Sequence, residues 1–432
     1  MVPQAARTTD ALARGPLEGL PVPPPPLETP GEETKAPAEV VVLRAPHAVD
    51  ACGVRIALGA DAWSLLESRT LLAEWKELEQ ACPWATPFQS SHFVATWLRH
   101  YAAQFAPVVV TERDGAGALA GLLVLAAALN GRQLVVAGGH QAEYQGWLAR
   151  PQGAEQFIVR ALAMVDEALP GNDLTFKYTA PGLPIEPLLA SAAYAERASV
   201  VAHRRPLMRL DEAQVKESLR KKSNKSRWAR LKRLGPLEFS SVVDADAFEA
   251  LFDDVIACYD ARQCAINGLM PFAQDPRKKP FHVDLMRAHP GFLHVTVTTL
   301  ANRVIAAHIG LNGRHEVHLA IVCHARMHEE HSPGKLHLLR LGQSLLDEGK
   351  RALDLTPGGD PWKERFANAH DDVYAVTIHR SAAARRLRLM GAGARELLRP
   401  TALAVGVSPA EVRGTVRDLG RRWIQGGKPA AA

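Results

Sequence analysis

Two stretches of the chain show the apolar runs and turn dipeptides of β-hairpins. From Pro107 the sequence reads PVVVTERD, GAG, ALAGLLVLAAAL, NGR, QLVVAGG, three β-rich runs separated by Asp-Gly and Asn-Gly turn signals. From Phe292 it reads FLHVTVTT, LAN, RVIAAHIGL, NGR, HEVHLAIVCH. Each stretch predicts a three-stranded antiparallel meander, and each closes its second turn with the same tetrapeptide, Leu129-Asn130-Gly131-Arg132 and Leu311-Asn312-Gly313-Arg314. An Asn-Gly turn alone is common in β proteins, so the flanking elements decide. Helical periodicity covers 61–80 and 90–104 before the first meander and 153–169 after it; it covers 246–263 and 279–288 before the second and 333–348 after it. The repeat predicts two α/β domains of one type, with mixed, mostly antiparallel sheets flanked by helices.

Between the two halves, Asp211-Glu212-Ala213-Gln214 reads as a helix start and Gly235-Pro236 as a stop. The enclosed helix is strongly basic: residues 216–233 hold nine Lys/Arg against one Glu. Its apolar residues, Leu219, Trp228, Leu231 and Leu234, form a thin stripe that fits a solvated connector leaning on one domain. Binding of RNA, anionic lipid or a phosphorylated substrate is the other reading of so much charge. The expected organisation is a Pro-rich leader over 1–46, a first domain over 47–205, the basic linker over 206–235, a second domain over 236–384 and an Arg-rich helical appendage over 385–432. In that appendage Ser408, Pro409 and Glu411 mark a last helix start.

Composition narrows the class. With 432 residues, 47% of them hydrophobic, the chain can bury more than one core. The longest apolar run, 118–129, is too short to span a bilayer, so no transmembrane segment is expected. Five cysteines, widely spaced and without a CxxC pair, fit neither a disulfide framework nor a zinc ribbon and read as free thiols in a cytoplasmic protein. The formal net charge of +5 conceals the basic linker and an equally basic tail. Such clusters matter to an anionic partner more than the total does.

Candidate chemistry concentrates after the second meander. In His331-Ser332-Pro333-Gly334-Lys335-Leu336, Ser332 is suited to cap a helix and Pro333 to its first position. Gly334 lets a ligand approach the backbone, and Lys335 adds charge beside the free N–H groups, which together make an anion site. A second strand, Ala352-Leu353-Asp354-Leu355, leaves through the glycine-rich Thr356-Pro357-Gly358-Gly359-Asp360. Asp354, on the strand beside that turn, and His308, in the strand 304–311, are the candidate acid–base groups. A structural role remains open for both. Metal binding is not expected: His315-Glu-Val-His318 and His328-Glu-Glu-His331 each fall one residue short of HExxH.

HSPGKLHLLRL followed by ALDLTPGGDPWKERFA resembles the "SPG, then DF-x-x-G-x-x-x-YK" signature of CelD-like acetyltransferases. These form a branch of the GNAT superfamily related to FemAB-type enzymes. Pro87-Phe88-Gln89-Ser90 is similar to that family's "PF-x-S" helix start. The resemblance implies tandem GNAT folds and transfer of an acyl group from acetyl-CoA or another acyl-CoA to a small-molecule or sugar amine, in polysaccharide or cell-envelope biosynthesis. It places Ser332, Gly334, Lys335 and Leu336 at the cofactor's pyrophosphate, and matches Asp354 and Lys363 to the family's acidic strand residue and lysine. Trp362 stands where the family has tyrosine. Two alternatives stay open: a FemAB-like aminoacyl transferase using charged tRNA through the basic linker, and a non-catalytic accessory of exopolysaccharide production.

Overall fold

The computed structural model describes residues 53–131 and 133–391. The expected leader and the helix starting at Ser408 lie outside the described residues. In chain order the first half holds β1 (Val54–Leu58), α1 (Gly59–Leu66), α2 (Arg69–Ala81), α3 (Ser91–His100), β2 (Phe105–Arg113), β3 (Leu119–Ala128), β4 (Leu134–Val136), β5 (Leu148–Ala149), α4 (Ala154–Ala168), β6 (Leu174–Phe176), α5 (Glu186–Ala190) and β7 (Ala198–Arg209). The second half continues with α6 (Glu212–Arg220), α7 (Lys222–Leu234), β8 (Leu237–Val242), α8 (Ala245–Asn267), α9 (Lys278–Ala288), β9 (Leu293–Leu300), β10 (Arg303–Asn312), β11 (Glu316–His324), α10 (Pro333–Asp347), β12 (Ala352–Asp354), α11 (Pro361–Phe366) and β13 (Ala369–Ile378).

Both expected meanders form: β2, β3 and β4 in the first sheet, and β9, β10 and β11 in the second. The turn between β9 and β10 has positive φ at both Ala301 and Asn302, the backbone of a type I′ hairpin. Two expected helices are each broken in two. Ser68 accepts a hydrogen bond from the Leu71 amide and starts a new helix inside 61–80. Lys221, with extended ψ, separates α6 from α7 within the basic segment. The Asp211 carboxylate caps α6 by accepting from the Gln214 amide, as the start signal predicts.

The first sheet runs in the order β1-β2-β3-β4, with β5 also on β3, and is antiparallel throughout. The second runs β6-β13-β7-β12-β11-β10-β9-β8. Strand β6 and most of β7 come from before the expected domain boundary at 205/206, which falls inside β7. Strand β7 pairs with β13 from Leu207↔Ala369 to Ala198↔Ile378, so the chain returns at its end to complete this sheet. One buried core, in which Phe93 packs edge-on against Phe281, is shared by both halves. The architecture is thus two GNAT-like α/β units in tandem, each with a mostly antiparallel sheet flanked by helices.

One pairing positions the site. Strands β11 and β12 are the parallel pair, joined by α10, and their register covers only Glu316–His318 against Ala352–Asp354. Beyond His318, β11 continues to His324 without β12 beside it. The sheet therefore opens between the two strands next to the start of α10.

Candidate active site

An open cavity of about 840 Å³ occupies that opening, a size suited to a cofactor-sized ligand. Its floor is apolar, with Val322, Leu338 and Leu339 among the lining residues. Its walls are cationic: Arg209, Lys221, Arg227, Arg262, Lys335 and Arg365 line it, against the carboxylates of Asp211 and Glu329. Arg227, Lys335 and Arg365 make no ion pair with a described carboxylate. Burial, and then the charges of Arg227, Lys221 and Arg365, push the Lys335 ammonium below its ordinary value. Cations gathered without counter-charge repel one another, and a polyanion relieves that repulsion.

The turn at the head of α10 leaves its first N–H groups uncapped beside the cavity. Ser332 sits in the left-handed region at φ 52° and its hydroxyl caps nothing, contrary to the side-chain cap its sequence position suggests. A non-glycine residue there stores strain of order 1–3 kcal/mol, and the first-turn N–H groups are left without a side-chain acceptor. A Cβ at Gly334 would stand 3.0 Å from the His324 imidazole, so glycine is what lets the turn lie against that ring. The basic segment supplies the opposite wall. Leu231 packs into a small core with Leu300, Ile305 and Leu336, which fixes α7 so that Lys221, Asn224 and Arg227 face the cavity. Two lining groups are orphaned: the Oδ1 of Asn224, which is 3% exposed, and the indole N–H of Trp362. Orphaned polar atoms around an apolar floor mark a place for a ligand's own polar groups.

The expected site residues divide. Ser332, Gly334 and Lys335 line the cavity, whereas the Leu336 side chain is buried in the core beside Leu231. Asp354 is fully buried and does not line it. Its Oδ1 accepts from the Tyr144 hydroxyl at 3.1 Å and the Thr356 amide at 2.8 Å; its Oδ2 accepts from His318 Nδ1 at 3.0 Å and Arg205 at 3.1 Å. Burial raises the proton affinity of this carboxyl, but the hydrogen bond and charge of His318 and the charge of Arg205 outweigh it and hold the group below its ordinary value. With four donors on two oxygens it has no free lone pair for a substrate proton. The Lys363 ammonium is buried too, and donates to the carbonyls of Thr356 and Pro357, both at 3.0 Å. It staples the loop leaving β12, where Thr356 has φ 60°. His308 is 0% exposed with both ring nitrogens unpartnered; burial, with His294 and His337 nearby, pushes it well below 6.5 and keeps it neutral.

His324, at the end of β11, lines the cavity against Gly334. Burial and the nearby Arg262 hold its pKa below 6.5, so the ring is neutral at pH 7 and free to accept a proton. Its position at the end of a strand entering the Ser-Pro-Gly turn was a usable sequence signal. Arg262, from α8, had none: it reaches β11 by donating to the Val322 carbonyl at 2.9 Å and stands 5.7 Å from the Trp362 ring centroid. Glu316, His318 and Asp354 offer ligand atoms within 4.8 Å of one another. The Arg205 guanidinium, at 3.3 and 3.1 Å from the two carboxylates, supplies the positive charge there.

Residues 218–364 match the model of an acetyltransferase (GNAT) domain, and this stretch contains most of the cavity wall. No curated protein matches the chain. Similar solved structures include L-PGS from Bacillus licheniformis (9% identity, 74% of this chain and 94% of that one, TM-score 0.46). FemX matches at 7% identity, covering 72% of this chain and 94% of that chain, with a TM-score of 0.46. A tandem GNAT protein from the clavulanic acid biosynthesis pathway matches at 14% identity, covering 76% and 99%, with a TM-score of 0.42. The chain carries a GNAT acetyltransferase domain, and the protein is a transferase. No described helix is long and apolar enough to cross a membrane.

Proposed function

We propose that the protein is an acyl-CoA-dependent N-acyltransferase of the CelD-like type, acting on a small-molecule or sugar amine of polysaccharide or envelope biosynthesis. The observation that carries this reading is the cavity at the head of α10, with an uncapped helix start and cations lacking counter-charges above an apolar floor. The residues fit a phosphate-rich thioester: Lys335, Arg227 and Arg365 meet the phosphates, and Asn224 Oδ1 and the Trp362 N–H meet neutral polar groups. The acyl donor brings an activated carbonyl and a thiolate leaving group. Within this reading His324 takes the proton from the acceptor's ammonium, the freed amine attacks the carbonyl, and the thiol leaves with a proton. Asp354 positions: it locks Tyr144, Arg205, His318 and the β12 exit in one arrangement at the base of the opening.

A second reading has its own observation. Arg220, Lys222, Lys225, Arg230 and Arg233 point outward from α6 and α7 without ion pairs, and a charged tRNA would meet them. Titration calorimetry of acetyl-CoA and longer acyl-CoAs separates the readings. Micromolar binding is expected, weakened at least about tenfold by Lys335→Glu, a loss of about 1.4 kcal/mol. Absence of binding by every acyl-CoA sinks the CoA reading. Activity with aminoacyl-tRNA, steeply lost with added salt, would replace it.

A further inference from the structure

Two of the thiols lie where one oxidation can join them. Helix α8 packs across β11, and on the face it turns to that strand Val255 and Cys258 stand one turn apart. The buried Cys323 thiol donates to the Val255 carbonyl at 3.8 Å, which sets its sulfur against the turn of α8 that carries Cys258. Cys323 is 1% exposed, whereas Cys258 is half-buried and open to a small reagent. The neighbouring Cys323 thiol first, and the charge of Arg262 one turn on, favour the thiolate at Cys258, while that same neighbour and burial hold the proton on Cys323, where it points to the Val255 carbonyl. The two roles needed for exchange, an attacking thiolate and a resolving thiol, are thus already assigned. The other described cysteines lack this arrangement. Cys82 is buried, its thiol pushed up to about 11 by burial, and Cys264 is exposed with no side-chain partner.

We propose that Cys258 and Cys323 form a reversible disulfide, with a low-molecular-weight disulfide as the oxidant. The Cys258 thiolate attacks one sulfur of the oxidant, giving a mixed disulfide and releasing one small thiolate, which takes up the proton Cys258 lost. Cys323 then attacks the Cys258 sulfur, its proton leaving with the second small thiol. Two protein thiols are oxidised and the oxidant is reduced to two thiols. The bond fastens α8 to β11 between the cavity residues Val322 and His324 and one turn from Arg262, so it forms on the back wall of the cavity.

The test is a peptide map of the full chain after incubation with oxidised glutathione, alkylation and digestion without reductant. The expected product is a peptide pair linked through Cys258 and Cys323, lighter than the free pair by two hydrogens and separated by dithiothreitol. Cys258→Ser should abolish the pair. In Cys323→Ala, Cys258 should accumulate as its glutathione adduct, which reports the first step even where the second is lost. A map with Cys264 glutathionylated and Cys258 untouched, in both the wild-type chain and Cys323→Ala, overturns the proposal.

Discussion

The meanders of the two halves share strand order, turn residues and flanking helices, yet they enclose very different spaces. In the first half, a void of about 20 Å³ lies among Trp75, Phe88, Val124 and Tyr144, room for about one water. In the second, the cavity is about 840 Å³. The difference arises downstream of the third strand. After β4 the chain folds back so that β5 pairs antiparallel with β3, and the Phe157 ring of α4 closes over Gly121. After β11 the chain makes a helical crossover and returns as the parallel strand β12, which parts from its partner after three residue pairs. A repeated scaffold can thus be packed solid in one copy and opened in the other by the direction of a single strand.

The strongest test of that comparison is the joint between the halves. Tyr144 of the first half donates to Asp354 of the second, beside the buried Arg205. Asp354→Ala leaves the Tyr144 hydroxyl, the His318 ring and the Thr356 amide without their acceptor in the interior, while Arg205 keeps Asp371 and Glu316, and is expected to cost about 3 kcal/mol, read from denaturant unfolding. The pH dependence has a fixed sign. The folded Asp354 carboxyl lies below its ordinary value of 3.8, so its contribution is complete above that pH and fades as the pH falls through the folded value. The alanine variant should lack this component. An unfolding curve unchanged by Asp354→Ala would mean that this buried carboxylate does not hold the halves together.

Matched glycine substitutions sharpen the contrast with smaller effects. A Cβ at Gly121 would stand 2.5 Å from the Phe157 ring, in the solid half. Gly121→Ala should lower stability by about 1–3 kcal/mol through overpacking while leaving acyl-CoA affinity untouched. At Gly334 the added Cβ meets the His324 side chain first, at 3.0 Å. Gly334→Ala should change stability by about 1 kcal/mol or less and weaken acyl-CoA about tenfold. Equal effects of the two changes on affinity would erase the distinction between packed and open copies.

The repeat was legible because strand and helix periods and turn dipeptides are local properties. The helix breaks at Ser68 and Lys221 escaped a reading by periodicity, since a competing cap or one extended residue interrupts a helix without changing its apolar rhythm. Ser332, Gly334 and Lys335 could be placed together at a helix start from their order along the chain, and all three line the cavity. Leu336 could not be told from them, because helical rotation carries its side chain to the opposite side, into the core. What no local pattern shows is a partner far along the chain. Arg205 and Asp354 are 149 residues apart, and Tyr144 is 210 residues from the same carboxylate. Those contacts turn an apparently available acid into a saturated one, and they exist only once β7 and β12 pair.

The smallest expected effect is a displacement in a pH profile, and it separates His324 from the other histidines of the second half. His308 and His337 are also held neutral by burial, but neither lines the cavity, so their titration has no direct path to the acceptor. A base acts when unprotonated, and burial plus the Arg262 charge lower the His324 value from 6.5. The acid limb of kcat/KM should therefore lie below pH 6.5, with the rate level from there towards neutrality. His324→Gln should leave a lower rate without that limb, while His308→Gln keeps the limb in place. A limb at or above pH 6.5, or one that survives His324→Gln, would assign the proton to another group and leave the opened sheet as a binding cleft without its own base.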